Sequence, residues 1–258
     1  WRGLRPGFGP GILKAYHDKD TSGVTYHLTR LTFTAPDGTQ NELRDILHEG
    51  QPLPTFPEPR GQDFHTADGT AMTFHSDSPI GGATPLNGVL IFRDGRHYRI
   101  DNDRVTSTRD RNGNTVSYQY ADVNQDFQVT RITDSIGRVY TFTYVSAPSL
   151  IETIQFKGFD GTLREVIVEH DSLSTVLMPG EEIGTLHDLF PTLNWHDPQS
   201  QHNPAVTTRI VLPNKQAYDF RYNRYGEVAE VKLPTGGLIR YSYSGAIACC
   251  DAIYRRVS

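Results

Sequence analysis

The stretch Thr108–Tyr144 constrains the fold more than any other, because it contains the same pattern twice. Asp110-Arg111-Asn112-Gly113-Asn114 leads to Tyr118-Gln119-Tyr120, and Asp134-Ser135-Ile136-Gly137-Arg138 leads to Phe142-Thr143-Tyr144. Asp110 answers Asp134, Gly113 answers Gly137, Tyr118 answers Phe142 and Tyr120 answers Tyr144, each 24 positions apart. A polar turn with Gly followed by alternating aromatics is what a β-hairpin unit requires. Glycine supplies positive φ without a steric cost, and alternation sets both rings on one face of a strand. A fixed period means an array of such units.

A second pair of copies lies near the end of the sequence. Leu212-Pro213-Asn214-Lys215 through Phe220-Arg221-Tyr222 is matched by Leu233-Pro234-Thr235-Gly236 through Tyr241-Ser242-Tyr243, at an offset of 21. Between them, Tyr222-Asn223-Arg224-Tyr225-Gly226-Glu227-Val228 reads as another turn entering a strand. Strand ends of the form aromatic-x-aromatic thus recur at Tyr118/Tyr120, Phe142/Tyr144, Phe220/Tyr222 and Tyr241/Tyr243.

The rest of the chain fits an all-β reading. Among 258 residues, 13 Tyr, 12 Phe, 23 Gly and 16 Pro against 2 Met favour short strands and tight turns over helices. Asp37-Gly38, Asp68-Gly69, Asp94-Gly95 and Asp160-Gly161 each sit between strand-like residues and predict hairpins. A polar turn is expected at His17–Gly23, before a strand over Val24–Phe33. The segment Gly50–Gly61 holds Pro52, Pro54, Pro57 and Pro59 and reads as a loop. Regularity divides the chain into an irregular Asp-Gly hairpin region, 1–104, and a repeat region, 105–258. The latter is interrupted by an insertion at about 171–204, with a short helix expected at Glu181–Phe190. Trp1–Gly11 reads as an extended lead-in, and the regular units fade after Gly245. The chain is expected to be a piece of something longer.

The repeat residues resemble the RHS, or tyrosine-aspartate (YD), repeat family, whose unit runs aromatic-x-Tyr-Asp and then Gly-Arg-Leu or Gly-Asn-x. Asp110–Tyr120, Asp134–Tyr144, Phe220–Val228 and Leu233–Tyr243 carry the likeness, which covers about 105–245. The chain departs from the pattern at its name-giving Asp, where Ala121, Val145, Asn223 and Ser244 follow the tyrosines. The resemblance implies antiparallel hairpins forming an arc of a hollow β-shell. It also implies a non-catalytic structural role, enclosing a toxin cargo or presenting an adhesive surface of a secreted or cell-surface protein. The implied partners are further repeats, a C-terminal cargo, and a cell-surface protein or glycan.

Chemistry-bearing motifs are sparse. Of 10 His, four precede Asp: His17-Asp18, His170-Asp171, His187-Asp188 and His196-Asp197. Neighbours on a strand point to opposite faces, so such a pair forms no dyad there. No Gly-x-Ser-x-Gly elbow, His-Glu-x-x-His or P-loop is present, and no cofactor is implied. Asp18–Gly23 matches the first half of an EF-hand loop, but its twelfth place is Thr29 where Glu is needed. Asp122-Val123-Asn124-Gln125-Asp126 offers alternate oxygens without the Gly or Glu of such a loop. Both are also ordinary Asx-turn sequences. Cys249-Cys250 is compatible with two free thiols or a strained vicinal disulfide. A net charge of −5 disfavours a phosphate-binding surface, and no apolar run reaches the roughly 18 residues a membrane helix needs. Aromatic rows beside Arg, as at Phe220-Arg221-Tyr222, serve either cross-strand packing or sugar stacking. A carbohydrate-binding or hydrolytic propeller or sandwich is therefore the rival reading, although propeller blades repeat at about 40–45 residues.

Overall fold

The computed structural model describes residues 11–21, 24–35, 39–54, 59–81, 85–121, 128–146, 150–191, 197, 199–247 and 253–257. The chain is all-β and antiparallel, and it forms two compact units, Trp1–Tyr140 and Thr141–Ser258. Residue 104 opens a strand inside the first of these.

The first unit holds β1 (Gly11–Thr21), β2 (Val24–Thr34), β3 (Gln40–Asp45), β4 (Asp63–Thr66), β5 (Thr73–Ser76), β6 (Gly88–Ile91), β7 (His97–Asp101), β8 (Arg104–Arg109), β9 (Thr115–Ala121) and β10 (Gln128–Thr133). Each strand pairs with the next in sequence. The predicted Asp-Gly hairpins about 37, 68 and 94 are the connections β2–β3, β4–β5 and β6–β7, although Asp37-Gly38 itself lies outside the described residues. Strand β8 also returns to β1, where Arg104 pairs with Gly11, so β1–β8 close into a ring.

Alternation explains the core of that ring. In β3 to β7 every second residue is buried, and the inward set includes Leu43, Phe64, Phe74, Leu90, Tyr98 and Ile100. Phe33, Phe92 and Tyr98 meet edge-on or tilted, with centroids 4.6–6.1 Å apart. Gly88 has no side chain because the Phe74 ring and the His75 carbonyl occupy that space. The proline-bearing loop is pinned from beneath by an ion pair. Arg60 Nη1 reaches Asp45 Oδ2 at 3.2 Å, with the two side chains 0% and 1% exposed. Asp45 also accepts from the amides of His48 and Gly50, and Arg60 donates to the Gln51 carbonyl.

Strand β11 (Val139–Val145) crosses the division between the units. The second unit continues with β12 (Leu150–Lys157), β13 (Leu163–Ser172), β14 (Ala205–Val211), β15 (Ala217–Tyr222), β16 (Val228–Lys232) and β17 (Leu238–Arg240). From β12 to β17 each strand pairs with the next. A separate hairpin follows, β18 (Tyr243–Ile247) with β19 (Ile253–Val257), spanning the point where the sequence pattern fades. Most residues of β12 to β16 are half-buried, whichever way they point.

Register sorts most of this sheet into two unlike faces, although one apolar row, Ile167, Val211 and Ala217, runs along the charged side. Val168, Ile210 and Tyr218 stand opposite one another across β13–β15, and Phe220, Val231 and Ile239 across β15–β17. The other face carries Glu169, Arg209, Asp219 and Lys232 in one row, and Arg221, Glu230 and Arg240 in another. Signs alternate along both rows, which is the favourable arrangement for directly opposed residues. Two of the contacts are direct, Arg240 to Glu230 at 2.7 Å and Arg209 to Asp219 at 3.5 Å.

Between β13 and β14 the chain leaves the ladder, as expected for 171–204. Leu173–Thr175 forms a 3-10 turn, and the expected helix over Glu181–Phe190 is confined to one turn, α1 (Leu186–Leu189). Thr185 caps it, accepting from the Asp188 amide while the Asp188 carboxylate accepts from the Thr185 amide. The insertion returns to the sheet beside Tyr222, where Val176 and Met178 bond its backbone on either side.

Candidate functional site

The repeat resolves into two devices. The first is a five-residue turn. At its head Asp110 bonds through its own amide to the Asn114 carbonyl at 2.9 Å and accepts the Gly113 amide at 3.1 Å. The Asp110 carboxylate also accepts from the amides of Asn112 and Asn114 and from the Asn114 side chain. Asp134 repeats every part, with Arg138 supplying the last donor at 2.6 Å. Gly113 and Gly137 have φ of 92° and 80°, the left-handed region where Cβ is costly. These bonds depress both carboxyl groups. For Asp110 the Asn114 side chain is the largest cause, while for Asp134 partial burial is outweighed by Arg138 and the turn amides.

Asn223 occupies the same place in the third copy. Its Oδ1 accepts from the amides of Tyr225 and Glu227 at 3.0 and 3.1 Å, and its amide group donates to Glu227. Gly226 follows at φ 77°. The departure from Asp therefore preserves the turn, since an amide oxygen accepts as a carboxylate does. The same backbone pair closes the turns at Leu212–Gln216 and Leu233–Gly237. Gly236 sits at φ 88° in one, whereas Lys215 holds φ 66° in the other.

The second device joins a tyrosine to a bulge. The hydroxyls of Tyr120, Tyr222 and Tyr243 donate to the carbonyls of Val105, Thr207 and Val228 at 2.6, 2.6 and 2.8 Å, each spanning 15 residues. Each acceptor precedes a residue that the ladder skips, namely Thr106, Thr208 and Ala229. A bulge disturbs the regular bonding of its strand. The phenol supplies the partner the ladder no longer provides there. Burial pushes the hydroxyls of Tyr120 and Tyr222 up to about 12, so both remain donors at any physiological pH. Thr130 is skipped likewise after Val129, and Tyr144, also raised to about 12 by burial, stands 15 positions further on.

The predicted repeat residues thus divide by role. Asp110, Asp134, Gly113, Gly137, Gly226 and Gly236 make turns, and Tyr120, Tyr222 and Tyr243 anchor bulges. Tyr118 packs on the core of the first unit, and Phe142 and Phe220 are half-buried strand residues. Strand β17 ends at Arg240, so Tyr241 lies beyond it and Tyr243 opens β18, a correction to the shared strand end expected for them. Sequence reading missed the acceptors Val105, Thr207 and Val228. The signal was available, because Val105/Val129 and Thr207/Val228 keep the offsets 24 and 21 of the tyrosines.

Asp188 is spent on the helix cap, and Asp171 accepts from the Ser172 amide. Among the described residues no three His, Cys, Asp or Glu groups gather as metal ligands. The polar turn expected at His17–Gly23 is corrected for 17–21, which extend β1 and pair with β2 from His17 to Thr21. Ser22-Gly23, Asp122–Asp126, His196 and Cys249-Cys250 lie outside the described residues. A cleft of about 580 Å³ lies between two hairpin ends of the second unit and is lined by Asp160, Arg164, Glu165, Asn214 and Lys215 among others. Its charges face each other, Lys215 meeting Glu165 at 2.9 Å and Arg164 meeting Asp160 at 3.6 Å. No protein-family model and no curated protein matches the chain.

Proposed function

We propose that the chain is a non-catalytic wall segment of an RHS/YD-repeat-like shell, part of a secreted or cell-surface protein that encloses a toxin cargo or presents an adhesive surface. The observation that carries this reading is the two-faced sheet of the second unit, assembled from repeated turn and tyrosine devices. A sheet with Val168, Ile210, Tyr218 and Phe220 on one side and paired charges on the other suits a wall between unlike environments. Further repeats add edge to edge, since each two-strand unit gains its stability from its neighbours.

The reading is tested in the full-length parent protein by cysteine accessibility. Ile210→Cys on the apolar face is expected to resist a membrane-impermeant thiol reagent, and Arg209→Cys on the charged face to react readily. Equal labelling of both in folded protein overturns the shell. Selective glycan binding by the same protein through Tyr218 or Phe220 would support the carbohydrate-binding rival instead.

A further inference from the structure

Two exceptions to the repeated turn stand side by side in the second unit. Among the described residues seven turns, that of Gly158–Thr162 included, share the same closing pair of backbone bonds. Their fourth place has positive φ and is glycine in six, but Lys215 in the turn between β14 and β15. Their second place is Arg, Ser or Pro in six, but Phe159 in the turn between β12 and β13. Those two hairpin ends are the walls of the cleft of about 580 Å³.

Both exceptions are unfavourable to the chain by itself. Lys215 bears left-handed strain that a glycine avoids, and the Phe159 ring is fully exposed to water, beside Leu163 at 61%. Outliers of strain and of exposed apolar surface collect where a surface makes a contact. Phe159 does not line its own cleft, whose volume is ample for a benzyl group.

The charges of the cleft narrow the choice of occupant. Asp160 and Glu165 balance Arg164 and Lys215, so the surface carries both signs in equal number. An anionic membrane selects clustered Lys and Arg instead. A surface with balanced, alternating signs is complementary to a copy of itself, in which each cation finds an anion to face. A knob beside a hole is self-complementary in shape as well, and a two-fold axis makes the exchange reciprocal. We propose that the chain forms a two-fold dimer in which Phe159 of each copy is seated in the cleft of the other. Two hairpin ends make a small interface, so the dimer is weak and reversible, dissociating in the micromolar range.

The test is sedimentation equilibrium of the full chain from low micromolar to near-millimolar concentration, for wild type, Phe159→Ser and Asn214→Trp. The first variant removes the knob and keeps the cleft, while the second fills the cleft and keeps the knob. Each variant alone is expected to dimerise about 100-fold more weakly than wild type, because both anchoring contacts are lost at once. An equal mixture of the two regains one contact and should associate about tenfold more tightly than either variant alone. A wild type that stays monomeric throughout overturns the dimer, as does a wild-type dimer that Phe159→Ser leaves unchanged or a mixture that regains nothing. Monomer that binds vesicles of phosphatidylserine and phosphatidylcholine, and loses them with Phe159→Ser, overturns it in favour of a membrane anchor. Should a variant fail to fold, NMR of the wild type on dilution decides. Amide shifts gathered at 158–165 and 212–216 support the exchange, and shifts elsewhere, or none, overturn it.

Discussion

The hydroxyl of Tyr222 donates to the carbonyl of Thr207 at 2.6 Å, one residue before the Thr208 bulge in the β13–β14 ladder. Removing only that oxygen isolates the bond. Tyr222→Phe is expected to cost about 1 kcal/mol or somewhat more, because the acceptor is left in a half-buried site. Tyr120→Phe should behave alike through Val105. Denaturant melts followed by a probe in each unit measure both, and unchanged midpoints would remove the anchoring role.

The turn glycines predict a second series. Gly137→Ala meets no atom within 4 Å, so its cost is backbone strain alone, about 1 kcal/mol. Lys215 already bears such strain at φ 66°, in the place where the matching copy has Gly236. Lys215→Gly is expected to stabilise the second unit by a few tenths to about 1 kcal/mol, because the lost pair with Glu165 is exposed and worth little. Equilibrium unfolding of both variants checks the opposite signs.

The turn carboxylates should reveal themselves in acid. Asp110 and Asp134 are held below the ordinary range, so their stabilisation is complete above the unfolded value near 3.8 and disappears as pH falls through the lower folded values. Asp110→Asn imitates the natural Asn223. It is expected to retain most stability at neutral pH while flattening the acid limb of the melt. Asp110→Ala should lose stability at neutral pH as well, as measured by melting between pH 2 and 7.

Breaking the buried ion pair of the first unit is expected to be costly. Asp45→Ala leaves the Arg60 guanidinium buried without its carboxylate and frees the amides of His48 and Gly50. A loss of about 3–5 kcal/mol is expected. Circular dichroism and hydrogen exchange should show the first unit unfolding while β12–β17 keep their protection.

Much of this was readable before any coordinates. Asp110, Gly113, Tyr118 and Tyr120 are local signals: a turn head, a left-handed residue and an alternating strand lie within a dozen positions. Their recurrence fixed the hairpins. The ring closure at Gly11 and Arg104 was not readable, since it joins residues far apart through a single backbone pair that leaves no side-chain signature. Nor was the bulge, because a skipped residue such as Thr208 looks like any other strand residue until its partners are known. The His17–Thr21 strand was hidden by polar residues that favour turns, and pairing with β2 overrode that preference. The contacts of His170 with Thr207 and Glu152 leave no trace beside His170-Asp171, because they run across three strands rather than along the chain.

The insertion between β13 and β14 has a consequence of its own. Register on either side of it is set by the Thr208 bulge, the Tyr222 hydroxyl and the opposed charges of Glu169 and Arg209, none of which depends on how long the intervening path is. The seam is indifferent to length but not to sequence: Glu181 accepts from the Arg224 amide and Phe190 packs on Tyr225, so a foreign segment leaves the β15–β16 turn undisturbed only if it restores both contacts.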